Sequence, residues 1–253
     1  MKNFRTQNRP KKKTLVVGKV EIENAIKEGK QLDRLYVQNN LHPDVSGELR
    51  RIASQNLIPI NYVPVEKLNS LNVSEHKGCI GVLSMVRYYD LQEIISFVVE
   101  KGELPLFLIL DGITDIRNIG GIARTAFCCG VHALIIPDKG VGALNEDAVS
   151  TSAGALESLP VCRVNSLLKA VDLLHLNGIK VLASEMTAHK EVAEINLSEP
   201  IAIIMGSEEK GIYPALLKYC DEQFKIPMAG DFESLNVSVA TGMILYECMK
   251  QRR

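Results

Sequence analysis

The chain has 253 residues, of which 46% are hydrophobic and 23% charged. That composition is ordinary for a globular protein and excludes collagen-like, low-complexity and disordered classes. The formal net charge of −1 conceals an asymmetry: residues 1–13 carry six Lys or Arg and no acid, leaving 23 basic against 30 acidic groups in the other 240.

A basic arm on a mildly acidic body can hold phosphates locally, but it is not a surface built to coat nucleic acid. The length allows one large domain or two modest ones. Apolar runs such as Leu106–Leu110 fall far short of the ~20 residues of a membrane span. Leu15-Val16-Val17 is likewise too short for a signal-peptide core of roughly 7–15 residues. The six cysteines form no C-x-x-C pair, and the five histidines form no H-E-x-x-H. We therefore expect no membrane segment, no metal site and reduced thiols in a cytoplasmic protein.

Hydrophobic periodicity predicts two successive α/β alternations. The first runs as helix Val20–Lys27, strand Arg34–Val37, helix Val45–Ser54, strand Ile58–Val63, helix Val65–Leu71 and strand Cys79–Val86. An amphipathic stretch at 88–104, ending in Gly102-Glu103-Leu104-Pro105, reads as a linker helix. The second alternation opens with Leu106–Leu110, a continuous apolar run suited to a strand buried on both faces. Helices at Ile119–Cys129, Glu146–Leu159 and Leu167–Leu176 alternate with strands at Ala133–Ile136, Val161–Val164 and Val181–Ala183. Strand Ile201–Met205, helix Pro214–Tyr219, strand Phe224–Ile226 and a last helix from about Asn236 complete it. Such alternation implies a mostly parallel sheet covered by helices on both sides. The expected organisation is a basic flexible arm at 1–13, a small α/β domain at 14–87, a linker at 88–104 and a larger α/β domain at 105–253.

Three loops follow apolar strands and open helices, which is where ligands collect in such sheets. The first, Asp111 to Arg124, holds Asn118 as a possible cap and two glycines, Gly120 and Gly121, that permit close approach. The second is Met205-Gly206-Ser207-Glu208-Glu209-Lys210-Gly211-Ile212. It lacks the Gly-Lys-Ser/Thr of a nucleotide-binding P-loop, and its adjacent carboxylates would repel phosphates. The third runs from Ile226 to Ala240, with Ser234 as a natural N-cap and Asn236 and Ser238 as polar groups in the first turn. No G-x-G-x-x-G lies between a strand and a helix, so a dinucleotide site is not supported.

Taken in order, Asn118-x-Gly-x-x-x-Arg124-Thr-Ala, Gly206-Ser-Glu208-x-x-Gly211-Ile, and Ile226-Pro-Met with Ser234-Leu-Asn-Val-Ser-Val-Ala240 resemble the three motifs of the SpoU (TrmH) family. That family comprises RNA ribose 2′-O-methyltransferases, and the likeness covers roughly residues 106–250. Residues 14–86 resemble the substrate-binding domain that precedes the catalytic domain in members acting on ribosomal RNA. The resemblance implies a trefoil-knotted S-adenosylmethionine site, an otherwise rare topology, and a homodimer that methylates a guanosine of large-subunit ribosomal RNA. It also implies that Gly206, Ile226 and Leu235 contact the cofactor, and that Arg124, Asn118, Glu208, Ser234 and Asn236 carry the chemistry.

In that reading Arg124 is either the general base or a clamp on the neighbouring phosphate, Asn118 positions ribose or Arg124, and Glu208 orients one of them. Lys77 in His76-Lys77-Gly78 and the run Gly18-Lys19-Val20-Glu21-Ile22-Glu23 depart from the ribosomal-RNA pattern. A transfer-RNA ribose enzyme and a non-catalytic RNA-binding or assembly protein are the alternatives.

Overall fold

The structure, a computed structural model, describes residues 15–71, 75–142, 144–230 and 234–253. The basic arm expected at 1–13 lies outside the described residues. The chain divides into two compact units, with the division between Ser84 and Met85.

The first unit contains β1 (Leu15–Val17), α1 (Lys19–Lys27), β2 (Leu32–Gln38), α2 (Pro43–Gln55), β3 (Ile60–Val63), α3 (Val65–Asn69) and β4 (Cys79–Leu83). Its sheet has the order β1-β4-β2-β3, and only the β2–β3 pair is parallel. Ile22 of α1, Leu49 and Ala53 of α2, and Leu32, Leu35 and Val37 of β2 form one buried cluster. The turn into β4 is backbone-constrained. Glu75, Lys77 and Gly78 all have positive φ (59°, 48° and 77°). The Gly78 N–H donates to His76 Nδ1 at 3.0 Å, which leaves the proton on Nε2 facing Asn69 Oδ1 at 3.1 Å. A Cβ on Gly78 would lie 2.4 Å from Leu41 Cδ1, so the His-x-Gly spacing seen in the sequence is a requirement of this turn.

The second unit is built on seven strands: β5 (Leu106–Asp111), β6 (Ala133–Pro137), β7 (Val161–Val164), β8 (Lys180–Ser184), β9 (Lys190–Glu191), β10 (Ile201–Gly206) and β11 (Glu222–Lys225). Their order is β7-β6-β5-β10-β8-β11-β9, and every pair is parallel. The helices are α4 (Leu91–Glu100), α5 (Ile116–Cys128), α6 (Glu146–Thr151), α7 (Ala155–Ser158), α8 (Leu167–Leu176), α9 (Pro214–Leu217) and α10 (Val237–Gln251).

Strand β5 shows why an unbroken apolar run was needed. Successive side chains point to opposite faces. Leu106, Leu108 and Leu110 pack with Ile119, Ile122 and Ala126 of α5 and Ile244 and Leu245 of α10. Phe107 and Ile109 pack on the other side with Leu91, Ile95 and Val98 of α4 and Val171 and Leu174 of α8. Both faces are dry, as a helix-covered parallel sheet requires.

Two expectations are corrected here. Residues 88–104 are not a linker. The Tyr89 N–H donates to the Val161 carbonyl at 2.9 Å, Asp90 caps α4 through the Glu93 N–H at 3.1 Å, and Leu91, Ile94, Ile95 and Val98 are buried in the second unit. Val86 also belongs to that unit's core, so the first unit stops short of residue 87. The helix expected over Glu146–Leu159 is two helices, because Ala153 (φ 52°) and Gly154 (φ 85°) turn left-handed between α6 and α7.

The glycine pair of the first loop serves helix packing. A Cβ on Gly120 would meet Thr151 Cβ at 2.7 Å and the Ala148 carbonyl oxygen at 3.1 Å, whereas one on Gly121 would meet Ser238 Cβ at 3.3 Å. Gly120→Ala should therefore overpack the α5–α6 contact and destabilise the second unit by about 1–3 kcal/mol. Thermal denaturation measures this, and an unchanged melting temperature would contradict the packing described.

Candidate active site

Strand β10 lies between β5, the first strand of the unit, and β8, which the chain reaches only after passing to β7 at the sheet edge. The carboxyl ends of these central strands are thus a topological switch point, where open parallel sheets bind ligands. Two clefts lie there. One, of about 690 Å³, is lined by Asp111 to Asp115, Asn118, Ser207 to Gly211, Tyr213 and Val237. The other, of about 340 Å³, is lined by Ser184, Glu185, Met186, Met205, Gly206, Ile226, Ser234, Leu235, Val237 and Ala240. Ser207, Glu208, Lys210, Gly211 and Val237 border both.

That shared wall is a tight loop after β10. The Ser207 N–H donates to the Gly211 carbonyl at 3.1 Å, and the Gly211 N–H returns to the Ser207 carbonyl at 2.9 Å. Gly211 sits at φ 64°. A Cβ on Gly206 would lie 2.3 Å from the Gly211 carbonyl carbon and 2.5 Å from the Ile212 nitrogen, so no other residue fits there. The Tyr213 N–H donates to Asp111 Oδ2 at 2.7 Å, tying the loop to the end of β5. The two glycines therefore exist to close the loop that carries Glu208.

Glu208 gathers the other two loops. Its Oε1 accepts from Asn236 Nδ2 at 2.7 Å, Asn118 Nδ2 at 3.2 Å and the Val237 N–H at 3.2 Å. The amide orientations follow by elimination. Asn236 Oδ1 caps α10, accepting from the N–H of Ser238 (3.0 Å) and Val239 (3.4 Å) and from Ser238 Oγ (2.6 Å). Its amino group must therefore face Glu208, and its remaining proton goes to Asn118 Oδ1 at 3.0 Å. Asn118 then has to present its own amino group to Glu208. Among the described residues, one amide proton of Asn118 and Oε2 of Glu208 are left for a ligand.

Two expected caps are corrected. Asp115, not Asn118, caps α5, accepting from the Arg117 N–H at 2.8 Å, and Asn236, not Ser234, caps α10. Asn118 is thereby released from a backbone role and projects from the first turn of α5.

The structure thus brings together Asn118, Glu208 and Asn236, and it places Gly206, Ile226, Ser234 and Leu235 on the smaller cleft. Arg124 lies elsewhere. It is exposed on α5 and lines neither cleft, one helical turn beyond the Gly121–Ser238 contact. Glu185 and Met186, which follow β8, were not foreseen as cleft residues. Position at the carboxyl end of a strand beside β10 identifies them, but only once strand order is known.

Residues 105–246 match the SpoU rRNA methylase family, and residues 15–89 match the RNA 2′-O ribose methyltransferase substrate-binding family. The chain belongs to the SpoU family. It is an RNA ribose 2′-O-methyltransferase. YacO of Bacillus subtilis, placed in the TrmH family of tRNA/rRNA methyltransferases, is 32% identical over 237 residues, covering 94% of this chain and 95% of its own. The SpoU methyltransferase AviRb of Streptomyces viridochromogenes, solved in complex with AdoMet, superposes with a TM-score of 0.60 at 26% identity, covering 94% of this chain and 90% of AviRb. The TrmH/SpoU tRNA modifying enzyme of A. aeolicus gives a TM-score of 0.53 at 26% identity, covering 64% of this chain and 84% of that enzyme.

Among the described residues, none of the helices is long and apolar enough to cross a membrane, and no cluster of His, Cys, Asp and Glu could hold a metal. All six cysteines are unpaired thiols. Burial raises the pKa of Cys79 to about 11 and those of Cys162, Cys220 and Cys248 to about 12, so these four are inert at neutral pH.

Proposed function

We propose that this enzyme methylates the ribose 2′-hydroxyl of a guanosine in large-subunit ribosomal RNA. The observation that supports this target is the separate substrate-binding unit. AviRb and YacO align along nearly the whole chain, whereas the tRNA modifying enzyme of A. aeolicus covers under two-thirds of it. The test is labelled methyl transfer to purified ribosomal and transfer RNA, followed by nucleoside analysis. Label in 2′-O-methylguanosine of the large-subunit RNA is expected; transfer to transfer RNA alone would overturn the assignment.

The methyl donor is S-adenosylmethionine. The smaller cleft suits it in size and lining, since nucleoside-sized ligands occupy apolar clefts of roughly 300–1,000 Å³ with a few polar groups. Met205, Ile226, Leu235 and Val237 supply the apolar walls, and the Gly206–Gly211 loop supplies exposed backbone. Gly206, Ile226 and Leu235 hold the donor in this reading, within loops that thread as a trefoil knot. When bound, it supplies an electrophilic methyl group on a sulfonium centre. The chain's own task is to hold a ribose hydroxyl in line with that methyl.

The larger cleft takes the acceptor nucleotide. Asn118 positions the ribose through its remaining amide proton, Glu208 fixes Asn118, Asn236 fixes Glu208, and Ser234 completes the polar lining. Arg124 grips the phosphate next to the target and stabilises the alkoxide as it develops. A guanidinium essentially never loses its proton in a protein, which weighs against the general-base reading.

The protein acts as a cytoplasmic homodimer. Val239, Met243 and Tyr246 form a stripe on α10 that is 49%, 48% and 68% exposed, and Phe127 of the neighbouring α5 is 50% exposed. Large apolar side chains at helical spacing call for a partner face, and two-fold dimers are the commonest closed assembly. Light scattering at micromolar concentration should give twice the 27.9 kDa chain mass. Met243→Asp should shift the mass toward the monomer; a monomeric wild type would contradict the dimer.

The two units should also divide the work. A chain beginning at Met85 should fold and bind S-adenosylmethionine yet methylate RNA poorly, because all three chemical loops lie beyond it. Residues 15–84 carry eight basic and eight acidic groups and therefore contribute recognition of RNA shape more than attraction. Methylation by the shortened chain equal to that of the whole would contradict this division.

A further inference from the structure

Glu185 is the first residue after β8, and it lines the donor cleft opposite the Gly206–Gly211 loop. Its backbone is fixed on both sides. The N–H donates to the Phe224 carbonyl at 2.8 Å, and the carbonyl accepts from the Ala188 N–H at 3.1 Å. Its side chain reaches toward the loop: Oε2 lies 3.7 Å from the point a Cβ on Gly211 would occupy. The carboxylate is half-buried beside Met186, Met205 and Ile226. Among the described residues its one side-chain partner is the Thr187 hydroxyl, donating to Oε1 at a long 3.4 Å, and no Lys or Arg pairs with it. A half-buried carboxylate with one long hydrogen bond has capacity for further donors.

Strand order says which part of the donor supplies them. The acceptor cleft is built on β5, and Glu208 stands between the two clefts. The reacting methyl must therefore face β5. Glu185 follows β8, across β10 from β5, so it meets a part of the donor that points away from the acceptor cleft. The nucleoside and the amino-acid end both point away from the methyl; the apolar Met186, Ile226 and Leu235 walls suit the base of the nucleoside, whose vicinal diol presents two hydroxyl donors. A carboxylate accepts such a pair through its two oxygens, as acidic residues do for the ribose of bound dinucleotides.

We propose that Glu185 is the ribose-binding residue of the donor site, accepting hydrogen bonds from the 2′- and 3′-hydroxyls of the adenosyl group. This rests on the donor assignment above and adds a carboxylate contact to the donor site. It also accounts for selectivity: a ligand lacking the diol leaves a half-buried charge without donors and is rejected.

Calorimetric titration of the full-length protein tests it with three probes: S-adenosylhomocysteine, 5′-methylthioadenosine, and the 2′,3′-dideoxy form of the latter. Glu185→Ala should weaken the first two by about 30-fold each, the scale of hydrogen bonds to a charged group. Glu185→Gln should weaken them by about tenfold. The dideoxy probe should bind Glu185→Ala at least as well as the wild type, because the variant leaves no charge without donors. A loss confined to S-adenosylhomocysteine would assign the carboxylate to the amino-acid end and overturn the proposal, as would an equal loss for the dideoxy probe or no loss at all. Failure of the wild type to bind S-adenosylhomocysteine would instead contradict the donor assignment itself.

Discussion

Arg124→Ala should lower methyl transfer by about 100- to 1,000-fold while leaving S-adenosylmethionine affinity within about twofold, because removing a transition-state electrostatic partner costs about 10²–10³. The separation of the two effects follows from geometry. Arg124 lines neither cleft, whereas the donor cleft is made by the ends of β8 and β10 and the loops at 206–212 and 226–236. Arg124→Lys discriminates the two roles. Lysine keeps the charge but not the planar bidentate fork, so a phosphate clamp loses most of its activity at every pH. A general base would instead regain activity as the lysine deprotonates at alkaline pH. We expect no such recovery. Full activity in Arg124→Ala would remove this residue from the mechanism.

Glu208→Ala should reduce turnover about 100-fold or more with little change in melting temperature. The asymmetry comes from exposure. Glu208 and Asn236 are exposed, so their mutual bonds contribute only modestly to folding. Yet one oxygen of Glu208 receives Asn118, Asn236 and the Val237 N–H, and without it the Asn118 amide has nothing to fix its direction. Catalysis is sensitive to such misplacement on the scale of an ångström. Glu208→Gln retains an acceptor for the three donors and should retain more activity, about tenfold below wild type. Steady-state kinetics with melting curves checks both variants. A wild-type turnover in Glu208→Ala would show that the three-loop junction is not needed.

Much of this arrangement could be read from the residues, and the failures have identifiable causes. The two alternations and the strands at 106–110, 161–164 and 201–205 were legible because parallel strands buried on both faces leave unbroken apolar runs. The stretch at 88–104 was misread because an amphipathic helix has the same periodicity whether it joins domains or covers a sheet; only the burial of Leu91, Ile94, Ile95 and Val98 distinguishes them. The caps were misassigned because Asp115 and Asn118, like Ser234 and Asn236, are equally competent as residue types, and the choice is made by tertiary contacts. Ala153 gave no warning of a left-handed turn. β1 and β9, of three and two residues, are too short to show alternation.

At the site, the motif residues were recognisable by resemblance, but not their division of labour. Asn118 and Arg124, six residues apart on one helix, part company, whereas Asn118 and Asn236, 118 residues apart, are hydrogen-bonded. Glu185 carries no motif and becomes visible only when β8 is seen beside β10.

The central claim is that the junction of Asn118, Glu208 and Asn236 directs a methyl group to a ribose hydroxyl. Alkaline hydrolysis of RNA labelled by the full-length protein tests this most directly. A methylated 2′-hydroxyl cannot attack the adjoining phosphate, so the account predicts that the label is recovered in alkali-stable dinucleotides and is lost in Glu208→Ala. Label recovered in mononucleotides would mean that a base is methylated, and would contradict it.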